Sequence, residues 1–308
     1  GEWVATSGLD RTVRVWWATN GALMGEPLRP GGVVSCLAFS PDDAQLATAG
    51  ADETVRVWDV ASGHPLFDLS GFKDFIWAVA FSSDGKTLAV SGDFDLVKFF
   101  DLATGKTLPD IPITKPAGRV LAFSPDGRTL AVGAKDAVSL IDVESKAGRA
   151  KLVGVKGQVR ALAFSPDGTQ LIVGAYQTVQ SWNPTSAEKL REWKGHRGYI
   201  TGISFSPDGQ RIVTSSDDET ARLWSLDAAE AQSVLKGHGY PVNSVAWSSN
   251  GELIATAAGD ETRTTKPGEV KVWDAKSGQE LFSLGDHKKA AMTVAFSPDL
   301  KSLASGGL

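Results

Sequence analysis

Phe39-Ser40-Pro41-Asp42-Asp43-Ala44-Gln45-Leu46-Ala47-Thr48-Ala49-Gly50-Ala51-Asp52-Glu53-Thr54-Val55-Arg56-Val57-Trp58-Asp59 is the stretch that decides the fold. It opens on a turn marker, Phe-Ser-Pro-Asp, and closes on a second marker, Trp-Asp. Between them, Gln45 to Ala49 and Thr54 to Trp58 exchange apolar and polar residues at period two, the pattern of short, half-buried strands. Proline presets one dihedral of the turn, and later copies add a glycine that tolerates a positive one, as in Pro166-Asp167-Gly168.

Working outward, the first marker recurs seven times, at Phe39, Phe81, Phe123, Phe164, Phe205, Trp247 and Phe296. The second also recurs seven times, at Trp16-Trp17, Trp58-Asp59, Phe100-Asp101, Ile141-Asp142, Trp182-Asn183, Trp224-Ser225 and Trp273-Asp274, at intervals of 42, 42, 41, 41, 42 and 49. So regular a period reads as one supersecondary unit repeated along the chain. Each repeat reads as four short strands joined by tight turns. Alone it cannot bury both faces; packing several radially does so.

These markers, with Gly195-His196, Gly237-His238 and the Trp-Asp endings, resemble the WD-repeat family over essentially the whole chain. The resemblance implies an all-β, seven-bladed β-propeller of four-stranded antiparallel blades around a central channel, a single domain over 1–308. The very regular Phe-Ser-Pro-Asp-Gly copies are similar to those of bacterial WD-repeat proteins, in which such domains accompany kinase or other signalling modules. Trp3 to Gly8 reads as a second strand, Thr12 to Trp16 as a third, and Ala291 to Phe296 as a first. The ring is therefore expected to be closed by N- and C-terminal strands, 1–30 completing a blade with 286–308. Ser302 to Leu308 repeats the second-strand pattern of Glu2 to Leu9, so two segments compete for one place. A window cut from a longer array and a frayed tail both account for this.

Composition sets the limits. The 308 residues are 42% hydrophobic and 22% charged, globular values with ample material for a core. A net charge of −5 without long blocks of either sign argues against a non-specific nucleic-acid surface. One cysteine, Cys36, in an apolar run, excludes an intramolecular disulfide and a cysteine metal cluster; it reads as a small buried hydrophobe rather than a reactive thiol. No stretch approaches eighteen apolar residues and no signal-peptide pattern opens the chain, so a soluble, cytoplasmic and monomeric protein with no membrane contact is expected, as a module of a larger polypeptide.

His196, His238 and His287 each lie nine residues before a marker aromatic, on separate blades rather than around one ion. The family resemblance implies structural networks instead: His196 with Thr214, Asp218 and Trp224; His238 with Thr256, Asp260 and Trp273; and His287 with Thr6, Asp10 and Trp16 across the termini. Thr48 and Asp52 are present in the blade ending at Trp58, without a histidine. The blades ending at Phe100, Ile141 and Trp182 are expected to lack the network. His64 falls in a turn and matches none.

No Gly-x-Ser-x-Gly, His-Glu-x-x-His or phosphate-loop motif occurs, and serine-rich turns repeated seven times read as structure. The chain is therefore expected to be no enzyme and to need no cofactor or metal. In the family, residues six and four places before the marker aromatic, and those at the turn aspartate, face a partner beside the channel. Carried over, these positions are Phe75, Trp77 and Asp93; Ala117 and Arg119; Gln158, Arg160 and Tyr176; Tyr199, Thr201 and Asp217; and Pro241, Asn243, Ala290, Met292, Val33 and Ser35. Phe75, Trp77, Asp93, Arg119, Arg160, Tyr176 and Tyr199 are the expected partner-binding set. Its aromatics and arginines are the residue types that dominate interface hot spots, suited to an acidic or phosphorylated peptide or protein segment. The insertion Thr262 to Glu269 is a second candidate. Rival readings are a small-ligand or enzymatic site in the channel, around Asp93 and Asp217, and a self-assembling structural repeat.

Overall fold

In each Ser-x-Asp marker a side-chain clasp fixes the turn. The Ser40 hydroxyl donates to Asp42 Oδ1 at 2.6 Å and accepts the Gln45 N–H at 2.8 Å, while the Ala44 N–H donates to the same carboxylate. The clasp is repeated at Ser82, Ser124, Ser165, Ser206, Ser248 and Ser297, with Asn250 replacing the aspartate once. Donation from the serine hydroxyl, with a backbone N–H, holds Asp84, Asp126, Asp167 and Asp208 below the usual carboxylate range. The aspartate of Trp-Asp caps the next hairpin: Asp59 Oδ1 accepts the Ser62 N–H and hydroxyl, and Asp101, Asp142 and Asp274 do the same for Thr104, Ser145 and Ser277. The two sequence markers are thus the two turn chemistries of one unit.

The structure, a computed structural model, describes residues 2–113, 118–260, 262 and 267–307. It divides into two compact units, Gly1–Gly154 and Val155–Leu308. Among the described residues the regular structure is strand, without helix.

The first unit opens with a two-stranded sheet, Trp3–Ser7 with Val13–Trp17. Three four-stranded antiparallel blades follow: Val34–Phe39 to Pro65–Leu69, Ile76–Phe81 to Thr107–Pro112, and Val120–Phe123 to Ala147–Gln158. In the first blade Phe39 lies opposite Leu46 and Leu46 opposite Trp58. The second strands are buried almost throughout, and Ala47, Ala49, Val55 and Val57 form one apolar cluster with Ile76, Leu88 and Phe100 of the next blade. Full burial of each larger side chain of this kind contributes about 1.5–3 kcal/mol. Face-to-face stacking of this sort is how a repeat without a core of its own acquires one.

In the second unit the strand Lys189–Phe205 serves two blades. Its first half pairs with Tyr176–Trp182 and its second half with Arg211–Ser216, which fuses two blades into a seven-stranded sheet. The blade Val242–Trp247 to Glu280–His287 follows, and then a two-stranded sheet, Ala291–Phe296 with Leu303–Gly307.

Of the two segments that compete for one second-strand place, 303–307 takes it in the second unit. Val294 lies opposite Ser305, the register that sets Leu37 opposite Thr48 in a complete blade, so the 303–307 segment fills the second-strand place beside Ala291–Phe296. His287 Nε2 accordingly meets Ser305 Oγ at 2.7 Å, in the place foreseen for Thr6. Among the described residues the Thr6 hydroxyl accepts only the Trp16 indole N–H, at 2.9 Å, and Asp10 binds Thr12 and Arg14. A hairpin partner a few residues away costs little loop entropy, which favours this local pairing.

Candidate functional site

The candidate residues sit at the blade ends where a first strand begins, a second strand ends or a third opens. Phe75 immediately precedes the strand Ile76–Phe81, in which Trp77 lies, and the Asp93 N–H, just past Thr87–Gly92, donates to the Phe75 carbonyl at 2.9 Å. Arg119 precedes Val120–Phe123 and Arg160 precedes Ala161–Phe164; each donates its backbone N–H to the last glycine of its second strand, Gly133 or Gly174. Tyr176 opens its strand opposite Tyr199, and the Asp217 N–H donates to the Tyr199 carbonyl.

In the first unit three of these side chains stack. The Phe75 and Trp77 ring centroids are 4.4 Å apart, and the Arg119 guanidinium lies 4.3 Å from the Trp77 ring centre. Both rings are half-buried; Arg119 and Asp93 are exposed. The Trp77 indole N–H is buried and has no acceptor among the described residues. Neither Arg119 nor Asp93 forms an ion pair among the described residues.

The second unit holds a related cluster. The Arg160 guanidinium lies 4.2 Å from the Tyr199 ring centre and Tyr176 packs against Tyr199 at 5.0 Å. Arg160 Nη1 also pairs with Asp217 Oδ2 at 3.1 Å. Burial pushes the Asp217 carboxyl up, against the pull of Arg160. A side chain at Gly157 would stand 2.9 Å from Tyr176 Cβ, and φ there is +84°, so glycine is what lets the tyrosine pair close over this turn.

The expected set thus resolves into one cluster in each unit, with Thr201 tied to Ser215 and the Val242 carbonyl, and Asn243 to Gly259 and Ala291 carbonyls, as structural contacts. Ser35 likewise donates to the Ile76 carbonyl at 2.7 Å. Ala117 and residues 263–266 of the 262–269 insertion lie outside the described residues.

The histidines serve the scaffold. His196 Nδ1 lies 2.9 Å from Asp218 Oδ2, His196 Nε2 lies 2.8 Å from Thr214 Oγ1, and the Trp224 indole donates to that hydroxyl at 2.9 Å. One proton arrangement satisfies every member: the neutral imidazole donates to the carboxylate and accepts from the threonine, which accepts from the indole. Burial lowers the imidazole's pKa, against the pull of Asp218. Burial would raise Asp218, yet hydrogen bonds from His196, Thr220 and the Arg197 N–H hold it far below the usual range.

Two further positions differ from expectation. His238 keeps Thr256 and Trp273, but its Nδ1 meets Glu269 Oε2 at 2.8 Å, not Asp260, which instead binds Thr262. The insertion carries Asp260 away, and the longer glutamate at the start of the third strand reaches back. Trp182, foreseen without a network, donates to Gln180 Oε1 at 3.2 Å, and Gln180 binds Glu192. An alternating strand with Trp at its end and an amide two residues before it is the signal that would have found this pair.

The repeat-by-repeat likeness is independent of these contacts. The family description "WD domain, G-beta repeat" matches residues 1–16, 28–59, 63–96, 150–183, 187–225 and 229–274, more than half of the chain. The chain belongs to the WD-repeat family. Comparison with curated proteins gives no match. WD-repeat domains generally mediate protein–protein interactions and are typically non-catalytic scaffolds. No group of three or more histidine, cysteine, aspartate or glutamate side chains suited to a metal ion occurs among the described residues, and no helix there is long and apolar enough to cross a membrane. Burial pushes the Cys36 thiol up to about 12, which keeps this half-buried thiol protonated at neutral pH.

Proposed function

We propose that this WD-repeat chain is a non-catalytic platform that binds a peptide or protein segment through the blade ends carrying Phe75, Trp77, Asp93 and Arg119 in one unit and Arg160, Tyr176 and Tyr199 in the other. The observation that carries the reading is the stacking of an arginine on an aromatic ring in both clusters, at 4.3 and 4.2 Å. A guanidinium laid flat on a ring keeps its in-plane N–H donors outward and loses little entropy on binding. Aromatic and arginine side chains held this way are the anchors that carry most interface energy. The reading of the chain as a single seven-bladed domain is part of the same proposal.

The test is affinity capture from source lysate with the wild-type chain and with a Trp77→Ala, Arg160→Ala double variant whose circular dichroism is unchanged. Proteins captured by the first and lost by the second support the platform. Equal capture by both would move the binding site elsewhere on the molecule.

A further inference from the structure

The two stacked arginines are not equivalent, and the difference bears on what each cluster recognises. Arg160 spends its charge on Asp217, 3.1 Å away, so the Tyr176–Tyr199 cluster is a neutralised aromatic surface. Arg119 has no carboxylate partner among the described residues; its guanidinium lies over the face of Trp77. We infer that Arg119 on Trp77 is the anion-reading subsite of the platform, and that it takes a single carboxylate, an acidic side chain or chain terminus of a bound peptide, while the Arg160 cluster contributes apolar and stacking contacts only. This rests on the platform reading above.

Three observations favour a carboxylate over a phosphate. The guanidinium lies over the Trp77 ring and its side-chain N–H donors have no hydrogen-bond partner among the described residues, leaving the fork that matches a carboxylate bidentately. Among the described residues the one cation placed on the Trp77 ring is Arg119, whereas a phosphorylated residue brings about −1.5 to −2 charges at neutral pH. Asp93 adds a negative group at the Phe75 end of the same aromatic pair, held there by its backbone bond to the Phe75 carbonyl. A monoanion balances Arg119; a dianion also meets repulsion from Asp93.

The experiment uses a phage-displayed library of random short peptides, panned in parallel on the wild-type chain and on Arg119→Met, Arg119→Lys and Arg160→Met. Methionine keeps the apolar stem on Trp77 and removes the charge. Wild type, Arg119→Lys and Arg160→Met should enrich peptides bearing Asp or Glu at one position; Arg119→Met should still recover peptides, without that acidic position. One enriched peptide is then synthesised with its Glu intact, changed to Gln, or replaced by phosphoserine. Loss of a charge-assisted hydrogen bond predicts weakening of about ten- to hundredfold for Gln, and phosphoserine should bind no tighter than Glu. Acidic enrichment that survives in Arg119→Met, is lost in Arg160→Met, or is absent from wild type would overturn the assignment, as would markedly tighter binding of the phosphoserine peptide. Failure of the wild-type chain to enrich any peptide would instead overturn the platform reading on which the assignment rests.

Discussion

Replacing Thr214 with valine tests the buried network with almost no change of shape. Thr214 and Trp224 are fully buried and His196 is nearly so. The substitution deletes the one hydroxyl that both the Trp224 indole and His196 Nε2 use. Two buried polar atoms then lose their partners, at about 1–3 kcal/mol each, and because they share one site the joint cost is set at about 2–4 kcal/mol. At about 2–4 °C per kcal/mol for a cooperative unit of this size, the melting temperature should fall by about 4–16 °C. Thr48→Val is the internal control. The Thr48 hydroxyl also accepts an indole, that of Trp58 at 2.9 Å, but has no imidazole, so only one group is orphaned and the cost should be about half. Urea and thermal unfolding followed by tryptophan fluorescence would measure both, with Thr214→Ser expected to recover most of the loss. A Thr214→Val cost below about 0.5 kcal/mol, or one no larger than that of Thr48→Val, would refute the reasoning that the shared hydroxyl is what the network depends on.

Other outcomes follow from the same geometry. Because burial lowers His196 and His238, each contributes stability that is present above the unfolded histidine value and lost as pH falls through the folded one. Thermal unfolding should therefore weaken from pH 7 to pH 5, and less steeply in a His196→Gln, His238→Gln variant. Glu269→Ala should destabilise more than Asp260→Ala, since it removes the acceptor of His238 Nδ1; unfolding midpoints decide the order. Trp77→Phe removes a buried indole donor that lacks a partner, so it should leave stability unchanged or raise it by up to about 1 kcal/mol. Cys36 should resist iodoacetamide at pH 8 in the folded chain and react in urea, followed by intact-mass spectrometry.

The blades were legible in the sequence because the signals that define them are local. A serine, an aspartate two residues on and a strand residue five residues on close the turn clasp within one hairpin, so the marker announces its structure wherever it recurs. The His196 network was legible for a related reason: its members sit at fixed offsets in a repeat of regular length. Glu269 was missed when an insertion broke those offsets, and Gln180 because it fills the role of the threonine from the tryptophan's own strand. The pairing of 303–307 with Ala291–Phe296 could not be chosen in advance, since Thr6 and Ser305 offer the same hydroxyl in the same pattern and only coordinates distinguish them. At the candidate site, sequence offsets placed the aromatic and arginine positions at the blade ends. That Arg160 is neutralised by Asp217 and Arg119 is not was visible only in three dimensions, because the ion pair spans two blades.

The most direct test of the account is hydrogen exchange on the chain alone and in complex with a captured partner. Binding should slow exchange at 75–77, 93, 118–120, 157–160, 176 and 199, leaving the outer strand Glu280–His287 unchanged. Protection confined to outer strands, with these blade ends exchanging as in the free chain, would contradict it.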